Sequence, residues 1–198
     1  MTMSMIAAAL ALGAAQPAAQ AQPQAQAQPP AQGQAQPQRQ SPFVLTTQGN
    51  VAANPADVAT LDSIMAAVYD VISGPAGQRR NWDRMRSLFT SNARLMPLGR
   101  AGLRSGSVED YISSSGPFLE ERGFTEREIG RVVEQYGDIA HVFSAYEGRF
   151  TAGDPQTIRG INSFQLVRHG GRWWVVSIMW QAETPENPIP ARYLNNQR

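Results

Sequence analysis

The sequence has no cysteine and no lysine; its 17 basic residues are all arginine. Without cysteine there are no disulfides, thiol nucleophiles, thiolate metal ligands or lipid-anchoring cysteine. Without lysine there is no Schiff-base amine and no phosphate-loop lysine. Charge of one sign is also missing. Sixteen acidic residues nearly balance the arginines, giving a formal net charge of +1, which leaves no electrostatic footprint for nucleic acid or an anionic membrane. There is no Gly-x-Ser-x-Gly elbow and no Gly-x-Gly-x-x-Gly turn. Only two histidines occur, His141 and His169, and no metal-ligand spacing connects them. Neither a metal nor a cofactor is expected. No apolar run is long enough to span a bilayer, so no integral membrane segment is expected either.

What is present divides along the chain. Ile6 to Ala15 is a short apolar run, and Ala19-Gln20-Ala21 supplies a small-x-small cleavage pattern. Residues 1–21 therefore read as a secretory signal peptide, although no arginine precedes the run. Its removal would place the protein in the periplasm or outside the cell. Residues 22–53 begin with an Ala/Gln/Pro tract that buries too little apolar area to offset ordering, and they read as a disordered spacer. The folded domain is expected over 54–183, followed by a proline-rich tail over 184–198 with Ile189, Tyr193 and Leu194 as anchors.

Asn54 and Pro55 suit a helix start. Val58, Leu61, Ile64, Met65, Val68, Val71 and Ile72 then recur at helical spacing, one helix of about five turns ending at Gly74-Pro75. A second helix is expected from Asn81, and a short strand over Ala93 to Leu98. Ser107 and Asp110 resemble a capping box opening a third helix, interrupted at Gly116-Pro117. Four strand-like runs follow: 124–135, 138–151, 157–169 and 172–183. Gly170-Gly171 between the last two has the chemistry of a two-residue hairpin loop. Helices first and an antiparallel meander after them make an α+β domain.

The run Gly170-Gly171-Arg172-Trp173-Trp174-Val175-Val176-Ser177-Ile178 resembles the closing hairpin of the NTF2-like (SnoaL-like, cone-fold) superfamily. The segments Ala140 to Glu147 and Arg159 to Ser163 resemble bacterial members. The resemblance covers roughly residues 55–183. It implies a curved sheet wrapped around helices, an apolar cone-shaped pocket, and homodimers packed through the sheet. It does not select a function, since the fold hosts isomerases, dehydratases, cyclases, carriers and non-catalytic subunits.

A strict hairpin register opposes His169 to Arg172, Asn162 to Met179 and Ile161 to Trp180. His141, Phe143 and Glu147 would then share the sheet face of Asn162. On that basis His141 and Glu147 are the candidate catalytic residues, as proton donors or acceptors. Tyr69, Trp82, Phe143, Asn162 and Trp180 are the candidate ligand-binding residues, aromatic walls with a few polar groups. Three functions stay open: a binder of a small, mostly apolar molecule, an isomerase, dehydratase or hydrolase in the same pocket, and a dimeric interaction module. Arg79, Arg80, Arg84 and Arg86 read as a solvated basic helix face.

Overall fold

The computed structural model describes residues 45–153 and 157–194. The expected signal peptide, most of the expected Ala/Gln/Pro spacer and residues 154–156 lie outside the described residues. Ordered contacts begin before Asn54. The Thr46 carbonyl accepts from Ser91 N at 2.6 Å, and the Thr47 hydroxyl donates to the Val51 carbonyl at 2.9 Å.

The expected first helix is two. Helix α1 spans Pro55–Val58, with the Asn54 side chain accepting from Ala56 N at 3.1 Å. Helix α2 spans Leu61–Ile72. Thr60 separates them because its extended backbone (φ −129°, ψ 162°) forms a capping box with Ser63, satisfying two helix-end donors at once. Ile64, Met65, Val68, Tyr69 and Val71 of α2 are buried. Helix α3 covers Trp82–Leu88, capped by Asn81. Strand β1 (Phe89–Gly99) follows directly, longer than expected, and β2 is the short Gly102–Leu103. Helix α4 runs Val108–Arg122, with the Ser107–Asp110 capping box in place, and passes through Pro117. Gly116 lies against the Trp82 ring, where a Cβ would stand 3.0 Å from Cζ2. Close packing there, with no side chain in the way, keeps α4 in place despite the proline.

Strands β3 (Phe124–Tyr136), β4 (Ile139–Phe150), β5 (Thr157–His169) and β6 (Arg172–Ala182) form the meander. The sheet order is β2-β1-β6-β5-β4-β3, and β1 runs parallel to β6, so the sheet is mixed rather than wholly antiparallel. His169 opposes Arg172 across Gly170 and Gly171, both at positive φ. Beyond that point the register departs from the strict hairpin. Leu166 opposes Val175 but Gln165 opposes Ser177, leaving Val176 as an extra residue. This bulge shifts Asn162 opposite Trp180 and Ile161 opposite Gln181. A one-residue slip exchanges faces, so Asn162, Phe164, Leu166, Trp173, Val175, Ile178 and Trp180 now share the inner face. Most of these join α2 and α3 in one buried core.

Of the basic cluster Arg79 is exposed as expected, but the other three arginines are engaged rather than solvated. Arg80 is buried and donates to the Ile72, Gly74, Gln78 and Leu119 carbonyls, tying the turn after α2 to α4. Arg84 pairs with Asp57 and Asp70, and Arg86 with Asp83 and Glu109. The tail passes over the outer sheet face at a short turn, Ala191–Tyr193. There Tyr193 stacks 5.4 Å from Phe143, and the Leu194 backbone rests on Gly130. No helix among the described residues is long and apolar enough to cross a membrane.

Candidate functional site

Between the helices and the inner sheet face lies a cavity of about 370 Å³. Its walls are mostly apolar: Val68, Ile72, Met85, Phe89, Leu95, Phe118, Phe124, Phe150, Phe164, Ile178 and Trp180. Its polar lining is sparse, with Tyr69, Tyr111, Tyr146, Asn162, Ser114 and Ser115, and among the described residues Glu126 and Arg104 alone bring formal charge to it.

The end of α2 and the start of β3 position the polar group. Gly74 and Phe124 exchange both backbone hydrogen bonds, at 2.7 and 3.0 Å. The Ser73 hydroxyl then accepts from Glu126 N at 2.9 Å, clamping Glu126 beside the last turn of α2. Strand alternation does the rest. Phe124, Glu126 and Glu128 point inward, opposite Phe150, Gly148 and Tyr146. Gly148 leaves room for the Phe124 ring, since a Cβ there would sit 2.7 Å from Cζ, and the Glu126 carboxyl lies beside the same position.

The hydrogen-bond directions form one consistent chain. Asn162 Nδ2 donates to Glu126 Oε1 at 3.3 Å and to the Tyr69 hydroxyl at 3.2 Å. The Tyr69 hydroxyl donates to Ser144 Oγ at 2.5 Å, and Ser144 Oγ donates to Glu128 Oε1 at 2.6 Å. Arg131 closes the chain, 3.3 Å from Glu128 and paired on its other side with Asp62. Glu128 is pushed above the usual carboxylate range by burial, against the Ser144 bond and the Arg131 charge. It nevertheless has a guanidinium partner. Glu126 has no cationic partner among the described residues; burial raises its carboxyl to about 7, opposed only by the Asn162 bond. A carboxyl poised there exchanges a proton near neutral pH.

Burial, reinforced by the Glu126 charge, pushes the hydroxyls of Tyr111 and Tyr146 well above the usual tyrosine range. Both stay protonated. Neither hydroxyl has a hydrogen-bond partner among the described residues, and both residues line the cavity. They are donors without acceptors beside a potential base.

The structure brings Tyr69, Asn162 and Trp180 to this cavity. It places the other named residues elsewhere. His141, Phe143 and Glu147 lie on the outer sheet face because Ser144, not Glu147, opposes Asn162. There His141 Nε2 is 3.1 Å from Ser163 Oγ, its Nδ1 is 3.9 Å from Glu134, and Glu147 pairs with Arg127 at 2.8 Å. Trp82 packs behind α4, its Nε1 donating to Glu120 at 2.9 Å. Glu126, Tyr111 and Tyr146 were not singled out from the sequence. The available signal was the alternation Phe124-x-Glu126-x-Glu128, which sets two carboxylates on a face that begins with a buried phenylalanine.

No protein-family model matches the sequence, and no curated protein matches it. Solved structures do. A hexachlorocyclohexane dehydrochlorinase, LinA-type3, from Novosphingobium barchaimii is 12% identical, covers 64% of this chain and 86% of its own, and superposes with a TM-score of 0.52. A protein of unknown function with a cystatin-like fold from Nostoc punctiforme is 12% identical, with 66% and 92% covered and a TM-score of 0.50. An NTF-2 like protein of unknown function from Silicibacter pomeroyi is 18% identical, with 63% and 94% covered and a TM-score of 0.47. At such identities the likeness to the first two shows a shared fold and says nothing about activity.

Proposed function

Starting from a chain that has the NTF2-like cone fold, we propose that the cavity takes up a small, mostly apolar molecule and that Glu126 exchanges a proton with it. The observation that carries this is a carboxyl with no cationic partner among the described residues, held near pKa 7 in an apolar cavity. Structural carboxylates are normally paired or solvated. In the chemistry that fits, the Glu126 carboxylate removes a proton from a carbon next to a carbonyl. The electron pair moves onto the carbonyl oxygen, and the oxyanion accepts hydrogen bonds from Tyr111 and Tyr146. The carboxylic acid then returns the proton to carbon, an isomerisation or exchange with no net redox change. Asn162 orients the Glu126 carboxyl through its 3.3 Å bond.

The test uses a panel of small cyclic ketones in D₂O, with deuterium uptake next to the carbonyl followed by proton NMR. Wild type accelerates uptake for at least one ketone, and Glu126→Gln loses that acceleration by about 10²-fold or more. Equal rates in both proteins would refute the base. Ketones that protect against thermal unfolding without exchange would leave simple binding as the function.

Two further proposals rest on the sequence. Residues 1–21 direct export and are removed, which N-terminal sequencing of protein from the native host checks. The outer sheet face, where Val176 and Met179 stay exposed, packs on a second copy, which light scattering checks.

A further inference from the structure

The cavity is charged at two ends. Glu126 also lines a groove between α2 and β3, with Asp62, Ser73 and Arg131. Arg104 instead lines a separate outer hollow of about 500 Å³, together with Ser107, Asp110 and Ser113 at the start of α4. Both the cavity and the hollow are bordered by Tyr111, Ser114, Ser115 and Trp180. The hollow is thus the vestibule of the cavity, and Arg104 marks the junction.

Arg104 is exposed, and its backbone N–H is fixed by the Pro97 carbonyl at 3.0 Å. Its guanidinium engages no carboxylate and no carbonyl among the described residues. Asp110 is nearby but committed. Its Oδ2 accepts from both Ser107 N and Ser107 Oγ at 2.8 Å, completing the α4 cap. A guanidinium with free donors at the mouth of an apolar cavity fits a carboxylate by paired N–H···O bonds. One cation beside one acid suits a monoanion better than a dianion.

We propose that the ligand is an amphipathic monocarboxylate, its apolar body in the cavity and its carboxylate on Arg104 in the vestibule. This rests on the cavity being a binding site, and the experiment separates the two failures. Binding of 4-phenylbutyrate and of uncharged 4-phenylbutyramide is measured by titration calorimetry at low salt, on wild type and Arg104→Met. Wild type binds the acid about three- to fivefold more tightly than the amide, a preference in the range of an exposed ion pair. The preference shrinks as salt is raised, and Arg104→Met abolishes it by weakening the acid more than the amide. Equal affinities for acid and amide in wild type, with no effect of Arg104→Met, would overturn the carboxylate proposal but keep the binding cavity. Binding of neither compound would overturn both. Arg104→Lys, which keeps the charge without the fork, retains the salt dependence and loses part of the preference; a preference unaltered by lysine and by methionine alike would also overturn it.

Discussion

Replacing Glu126 by glutamine should stabilise the protein in a pH-dependent way, and the effect needs no ligand to observe. An ordinary glutamate carboxyl titrates near 4.5, and burial raises Glu126 to about 7. The folded state therefore binds the proton more tightly than the unfolded chain. Stability from that tighter binding is fully present below about pH 4.5 and is lost as the pH rises through about 7. The displacement corresponds to about 3 kcal/mol as an upper bound, less whatever cavity water screens. Glutamine is neutral at every pH and can still accept from Asn162 Nδ2. At pH 5 the variant should thus lead by no more than about 1 kcal/mol. By pH 8 the variant should be more stable, by about 2–3 kcal/mol. Urea unfolding at pH 5, 6, 7 and 8 measures the difference. Glu128, also raised by burial, and Glu109 and Asp110, held low by Arg86 and by Ser107, contribute equally to both proteins and cancel. A stability difference that is flat with pH, or a variant less stable at pH 8, would refute the reasoning.

Ser144→Ala removes the link between the Tyr69 hydroxyl and Glu128 in a buried setting, and should cost about 1–3 kcal/mol in urea unfolding at pH 7. Gly130→Ala would place a Cβ 2.5 Å from the Leu194 carbonyl carbon; the tail should lift, and trypsin should cleave after Arg192 faster than in wild type. His141→Ala acts on the outer face, outside the cavity; it should change stability by less than about 1 kcal/mol and leave ketone exchange unaltered. Phe164→Ala opens the inner face where Phe164 is 1% exposed, and should cost about 3–5 kcal/mol by thermal or chemical unfolding.

Local signals carried much of the fold. Capping residues located the helix starts at Asn54, Asn81 and Ser107, and Gly170-Gly171 located the last hairpin with its His169–Arg172 pair. What was not legible depended on contacts distant in sequence. Pairing of β1 with β6 joins residues far apart along the chain, and no local pattern marks it as parallel. The Val176 bulge occupies one extra residue in a run, Trp173 to Ile178, with apolar side chains at nearly every position, so alternation there could not fix the face. Tyr69, Asn162 and Trp180 reached the cavity as aromatic and amide side chains of buried elements. Glu126 was obscure because acidic residues near a strand start read as solvated until the Ser73 clamp is seen.

The measurement that bears most directly on the account is a carbon-13 NMR titration of side-chain-labelled glutamate, with Glu126→Gln identifying the Glu126 carboxyl signal. The account predicts a midpoint near 7 for that carbon and its absence from the variant. A midpoint between 4 and 5 would show a solvated carboxyl, and the proposed base would be contradicted.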